Sequence, residues 1–125
     1  MNELNRVEKF LMTYSGEHYK KPEGENDKMS VIKSMGHDAR NAFVEFGNII
    51  NDKLPEYKVY KCSNWLSMNQ IIPDYLWIQF KKIGYEHLPS SISLAAKKVY
   101  DKFYLAQHQN VFLTALSCQG TFITF

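Results

Sequence analysis

Pro73-Asp74-Tyr75-Leu76-Trp77-Ile78-Gln79-Phe80-Lys81-Lys82 is the stretch on which the fold turns. It alternates. Leu76, Ile78, Phe80 and Lys82 fall on one side of an extended chain, and Tyr75, Trp77, Gln79 and Lys81 on the other, because successive side chains of a strand point to opposite faces. The first set reads as core. The second sets two aromatic rings, an amide and a cation in a row. Such a row is either a stacking and hydrogen-bonding platform for a nucleotide or a second packed face.

Downstream of this strand, Ile83–Pro89 reads as a loop holding Gly84. Ser90–Ala96 reads as a further strand, with Ile92 and Leu94 on one face and Ser91 and Ser93 on the other. Val99–Gln107 fits either a short helix or a fourth strand. Val111–Leu116 and Thr121–Phe125 look like strands with Gly120 in a turn between them. Upstream, Tyr57–Cys62 is a strand, and Asn64–Ile72 is a polar connection containing Trp65 and Leu66.

Before Pro55 the period is helical. Leu4, Val7, Phe10, Leu11 and Tyr14 recur at three- and four-residue steps, which predicts a helix over 2–14 ended by Ser15-Gly16. Residues 16–28 hold Pro22, Gly24 and seven charged side chains and read as a loop. Ser30 is the expected cap of a longer helix reaching about Leu54, with Ile32, Met35, Ala39, Phe43, Phe46 and Ile50 as its apolar stripe. Gly36 and Gly47 weaken it, each by roughly 1 kcal/mol relative to Ala, and Gly36 is a candidate break. The expected fold is α+β: two N-terminal helices packed on a mostly antiparallel, curved β-sheet. It forms one domain over 1–125, helical over 1–54 and mainly β over 55–125.

The totals agree with a packed domain. The chain has 125 residues, 45% of them hydrophobic, which suffices for a core without disulfide or metal staples. A net charge of +2 does not by itself argue for nucleic acid. The distribution is uneven: residues 1–62 carry 10 Lys/Arg and 10 Asp/Glu, whereas 63–125 carry 5 Lys and 3 acids. The doublets Lys81-Lys82 and Lys97-Lys98 belong to that second half. With no secretory leader and no bilayer-length apolar run, the expectation is a cytoplasmic protein with no membrane contact. Its two cysteines, Cys62 and Cys118, are expected to be reduced, with a bridge between them left open.

Catalytic signatures are missing. There is no Gly-rich phosphate loop and no dinucleotide fingerprint. His18, His37, His87 and His108 are scattered, away from metal-ligand spacing. Asp74 with Gln79 and Lys81 mimics half of a metal-dependent nuclease site, but an amide stands where a second carboxylate is needed. The expectation is therefore a non-enzyme with no metal and no cofactor. What remains is polar and aromatic: Tyr57, Tyr60, Asn64, Trp65, Asn69, Gln70, Tyr75, Trp77 and Gln79, with Lys81, Lys82, Lys97 and Lys98 as phosphate holders. Rings can stack on an unstacked base, and Asn or Gln can bond its edge.

Tyr57-Lys58-Val59, the polar segment ending in Ile72-Pro73, Leu76-Trp77-Ile78-Gln79-Phe80 and Ser90-Ser91-Ile92-Ser93-Leu94 together resemble the N-terminal DNA-binding module of McrB-like modification-dependent restriction proteins. The resemblance covers about residues 40–105. It departs in the polar loop, which lacks the family's glycines, and in Asp74-Tyr75, which separates Pro73 from the hydrophobic strand. The resemblance implies double-stranded DNA as partner, a modified cytosine flipped into an aromatic pocket, and a nucleotide-hydrolysing or nuclease subunit supplied by another chain. On that reading Trp77 forms the pocket wall, Tyr57 and Trp65 flank it, and Asn64 and Gln70 contact the base edge. Tyr75, Lys81 and Lys97 complete the DNA-binding set. The competing expectation, from a different class, is a small protein-binding inhibitor or accessory factor of phage or mobile-element type acting on a defence enzyme.

Overall fold

The structure, a computed structural model, describes residues 2–109, 112–117 and 122–124. Two helices lead: α1 (Asn2–Tyr14) and α2 (Lys28–Lys53). Six strands follow: β1 (Tyr57–Cys62), β2 (Tyr75–Lys82), β3 (Ile92–Val99), β4 (Lys102–Gln109), β5 (Phe112–Ser117) and β6 (Phe122–Thr124). They form one sheet in the order β1-β2-β3-β4-β5-β6, every neighbouring pair antiparallel. The α+β arrangement expected from the sequence is the observed one. Of the two readings of Val99–Gln107, the strand is realised. The turn at Gly120 and the Cys118 half of a bridge lie outside the described residues.

The longer helix starts earlier than Ser30. Asp27 is its cap, its carboxylate accepting a hydrogen bond from Met29 N at 2.9 Å. The second carboxylate oxygen accepts from Glu23 N at 3.1 Å and closes the preceding turn. A helix-end amide donor that has no intrahelical acceptor is thus met. Both bonds hold the Asp27 carboxyl below the usual range.

Both helices cover one face of the sheet. Leu76, Ile78 and Phe80 of β2 are at most 2% exposed and pack with Phe10, Phe43 and Phe46 from the helices and Phe103 and Leu105 from β4. The alternation of β2 therefore places its core set as expected. Neither helix glycine breaks α2, because each is where a neighbour comes closest. A Cβ at Gly36 would lie 2.8 Å from Cγ of the Trp65 indole, and one at Gly47 would lie 3.0 Å from Val59 Cγ2 and nearer still to Ile78 Cδ1. The helix gives up propensity there and gains contact with the layer beneath.

The connection 63–74 folds back on the turn after α1. Gly16 N donates to Ile72 O at 2.8 Å, Ile72 N to Glu17 O at 3.0 Å and Tyr19 N to Gln70 O at 2.8 Å. This short pairing closes the end of the core.

The bare sheet face as candidate functional site

Among the described residues, no helix covers the other face of the sheet. Register sets its rows. Tyr75, Lys97 and Tyr104 share one row, Trp77, Ala95 and Ala106 the next, and Gln79 and Ser93 the one after. Residues directly opposite one another in a ladder project to the same side. Tyr75 is 44% exposed and Trp77 half-buried, whereas Ala106 lies at the bottom at 3%. Gln79 is engaged, its Nε2 donating to Ser91 Oγ at 2.9 Å.

A bulge extends the face to the edge strand. The β1–β2 register shifts between Val59 and Lys61, so Lys61 faces Gln79 while Tyr60 is the extra residue. Bulges re-aim side chains in this way. Tyr60, 42% exposed, then receives two cations: Lys81 Nζ at 4.6 Å and Lys61 Nζ at 5.5 Å from its ring centroid. Arg40 reaches round the edge from α2 and donates to Ser63 O at 3.2 Å and Cys62 O at 3.4 Å. Arg40, Val44, Val59, Tyr60, Lys61, Cys62 and Trp77 line a shallow depression of about 430 Å³. Two cations and two large rings thus surround one concavity. Burial pushes the Cys62 thiol up, only partly offset by Arg40, which is the opposite of an activated thiolate.

The charge pattern is one-sided. The strands carry Lys58, Lys61, Lys81, Lys82, Lys97, Lys98 and Lys102, and no Asp or Glu. The helices, in contrast, mix Glu3, Glu8, Asp38, Glu45 and Asp52 with Arg6, Lys9, Lys28, Lys33, Arg40 and Lys53. The carboxylates nearest the sheet sit in its connections. Glu86 is one, 2.8 Å from Lys58 Nζ, whose hydrogen bond holds its pKa at about 2.

A second concavity lies at the sheet end where β1 begins. Tyr57, Lys82, Tyr85, Leu88, Ser90, Ser91 and Ile92 line a space of about 380 Å³. Lys81, a residue only 9% exposed, fastens the loop that supplies Leu88 to this lining: its ammonium donates to Glu86 O at 2.9 Å and Leu88 O at 2.8 Å. Lys81 is therefore committed to the loop and to Tyr60. That corrects its reading as a phosphate holder, since a buried ammonium with its donors taken has little left to offer a ligand.

The sequence-expected set is divided among four places. Tyr75, Trp77 and Lys97 share the bare face. Tyr57 lines the separate concavity at the sheet end. Trp65 is not a pocket flank: it is 4% exposed, edge-on to Phe10, Tyr19 and His37 at 6.2, 5.1 and 5.5 Å, and pressed on Gly36. No ring face is left there for a base. Asn64 turns its side chain onto Trp65 N at 2.8 Å, and Gln70 sits in a tight turn at φ 61. Both belong to the connection that closes the core, and neither lines either concavity. Arg40 and Lys61 were missed. Arg40 gave no signal in a helix pattern, and Lys61 becomes a neighbour of Trp77 only through the bulge.

Fold and site together define a two-helix, six-stranded meander with one bare basic and aromatic sheet face. No family model, curated protein or solved structure matches the chain. Among the described residues, no cluster of His, Cys, Asp or Glu could hold a metal ion, and no helix is long and apolar enough to cross a membrane.

Proposed function

We propose that this protein is a DNA-binding module, that its bare sheet face is the DNA surface, and that the depression between Tyr60 and Trp77 takes an unstacked base. The observation that carries the reading is the one-sided charge of this face: the described strands hold no carboxylate, and register with alternation puts Lys61, Lys97 and Lys102 on the bare side, beside two exposed or half-exposed rings at one concavity. Lysines hold phosphates without reading sequence, while rings stack on bases at about 1–3 kcal/mol each. The finer reading, a preference for modified cytosine within a cytoplasmic restriction or defence system and alongside a nuclease or nucleotide-hydrolysing partner, rests on the sequence resemblance.

The test is fluorescence anisotropy with matched 5-methylcytosine and unmodified duplexes, plus single strands, at two salt concentrations. DNA binding that weakens with salt and is lost in Trp77→Ala supports the reading. No binding at low salt eliminates it. The alternative, a protein-binding inhibitor, draws on Met68, 98% exposed at the tip of the 63–74 connection. A protein partner whose binding depends on Met68 and ignores Trp77 would favour it.

A further inference from the structure

The two-residue link between β3 and β4 holds a residue that the fold does not need. Val99 pairs with Lys102, leaving Tyr100 and Asp101 at the apex. Tyr100 has φ +58 and is 91% exposed. The left-handed region is unfavourable for a bulky side chain, and hairpin loops of this length normally put Gly, Asn or Asp there. Folding accepts that strain and buries almost none of the ring. Such positions persist where the residue serves a contact outside the fold.

The surroundings indicate which contact. Lys98 and Lys102 flank the apex in sequence; the row two residues below the Val99–Lys102 pair is Tyr75, Lys97 and Tyr104 of the bare face, while Lys98, paired with Phe103, falls on the opposite side of the sheet. Two carboxylates are close, Asp101 in the turn and Asp74, which with Ser15, Gly16, Lys98 and Tyr100 lines a shallow hollow of about 270 Å³. Three lysines against those two acids leave the tip cationic.

We infer that Tyr100 is a stacking residue that lays its ring on a nucleobase as DNA crosses from the bare face over the β3–β4 apex. The inference rests on the DNA-binding reading above. The probe is a fluorescein-labelled 20-nucleotide DNA, single-stranded and duplex, titrated with the full chain. Tyr100→Gly removes the ring and relieves the backbone, so its melting temperature should equal or exceed that of the parent. Its affinity should fall roughly 5- to 150-fold, the span of one lost stacking contact. Tyr100→Phe keeps the ring and should bind within about twofold of the parent by the same criterion. A folded Tyr100→Gly that binds like the parent overturns the Tyr100 inference alone. Loss of binding in Tyr100→Phe as well assigns the effect to the hydroxyl and overturns stacking. If the parent binds neither form of DNA, the reading of the bare face fails and this inference falls with it.

Discussion

The two tryptophans lie on opposite sides of the same sheet problem. Trp65 comes from a polar loop and is buried; Trp77 comes from an alternating strand and is half-open. Loop membership says where the backbone runs and little about where one large ring goes. The 63–74 connection pairs with the turn after α1, and that pairing swings Trp65 under Gly36. On the β3 and β4 side Trp77 has only alanines in its row, Ala95 and Ala106, while on the β1 side it opens onto the depression shared with Tyr60 and Lys61. Helices cover one face of the sheet, and none of the described helices covers the other.

Truncation should separate the two rings most sharply. Trp65→Ala is expected to cost about 3–5 kcal/mol in urea unfolding, as for a fully buried large side chain. Trp77→Ala should cost about 1–2 kcal/mol, since part of the ring is already in water, while removing DNA binding. Equal losses of stability would place both rings in the core and end the comparison.

Gly36→Ala attacks the covered side from above. Helix propensity alone predicts a gain of about 1 kcal/mol. The rigid indole beneath turns this into a net loss of about 1–2 kcal/mol, because overpacking outweighs propensity. A stabilised Gly36→Ala would mean that Trp65 is free to move.

Lys81→Met tests what holds the 83–91 loop against the sheet. It should change the free energy of global unfolding by no more than about 1 kcal/mol, because the carbonyls of Glu86 and Leu88 can turn to water. It should also raise proteolytic cleavage within 83–91. Unchanged cleavage would show that the loop holds itself.

The smallest effect concerns acid. The folded pKa of Glu86, about 2, lies below the ordinary 4.5, so its bond to Lys58 stabilises the fold fully above pH 4.5 and is lost as pH falls toward 2. Asp27, also depressed by its two backbone donors, contributes in the same direction. Unfolding free energies at pH 6 and pH 3 should differ less in Lys58→Met than in the parent. Identical differences would remove Lys58 as the cause.

The rest of the edge is closed by α2. Asn51, with its amide nitrogen toward Tyr57 O at 3.3 Å and its oxygen toward Val59 N at 3.1 Å, satisfies strand groups that would otherwise invite a second chain. Together with Arg40 on the carbonyls of Cys62 and Ser63, it occupies backbone groups that a further strand at the β1 edge would need.

Periodicity by itself determined the two helices, the run of strands after Pro55 and the core identity of Leu76, Ile78 and Phe80, because burying one face imposes a repeat that shows in the residues. Tertiary structure alone decided the site. It buried Trp65, tied up Lys81, divided Tyr57 from Trp77, and brought Arg40 and Lys61 to the depression that Trp77 lines, through a helix side chain and a bulge. Those outcomes depend on which surfaces meet across the fold, and on a single extra residue at Tyr60, neither of which leaves a period in the chain.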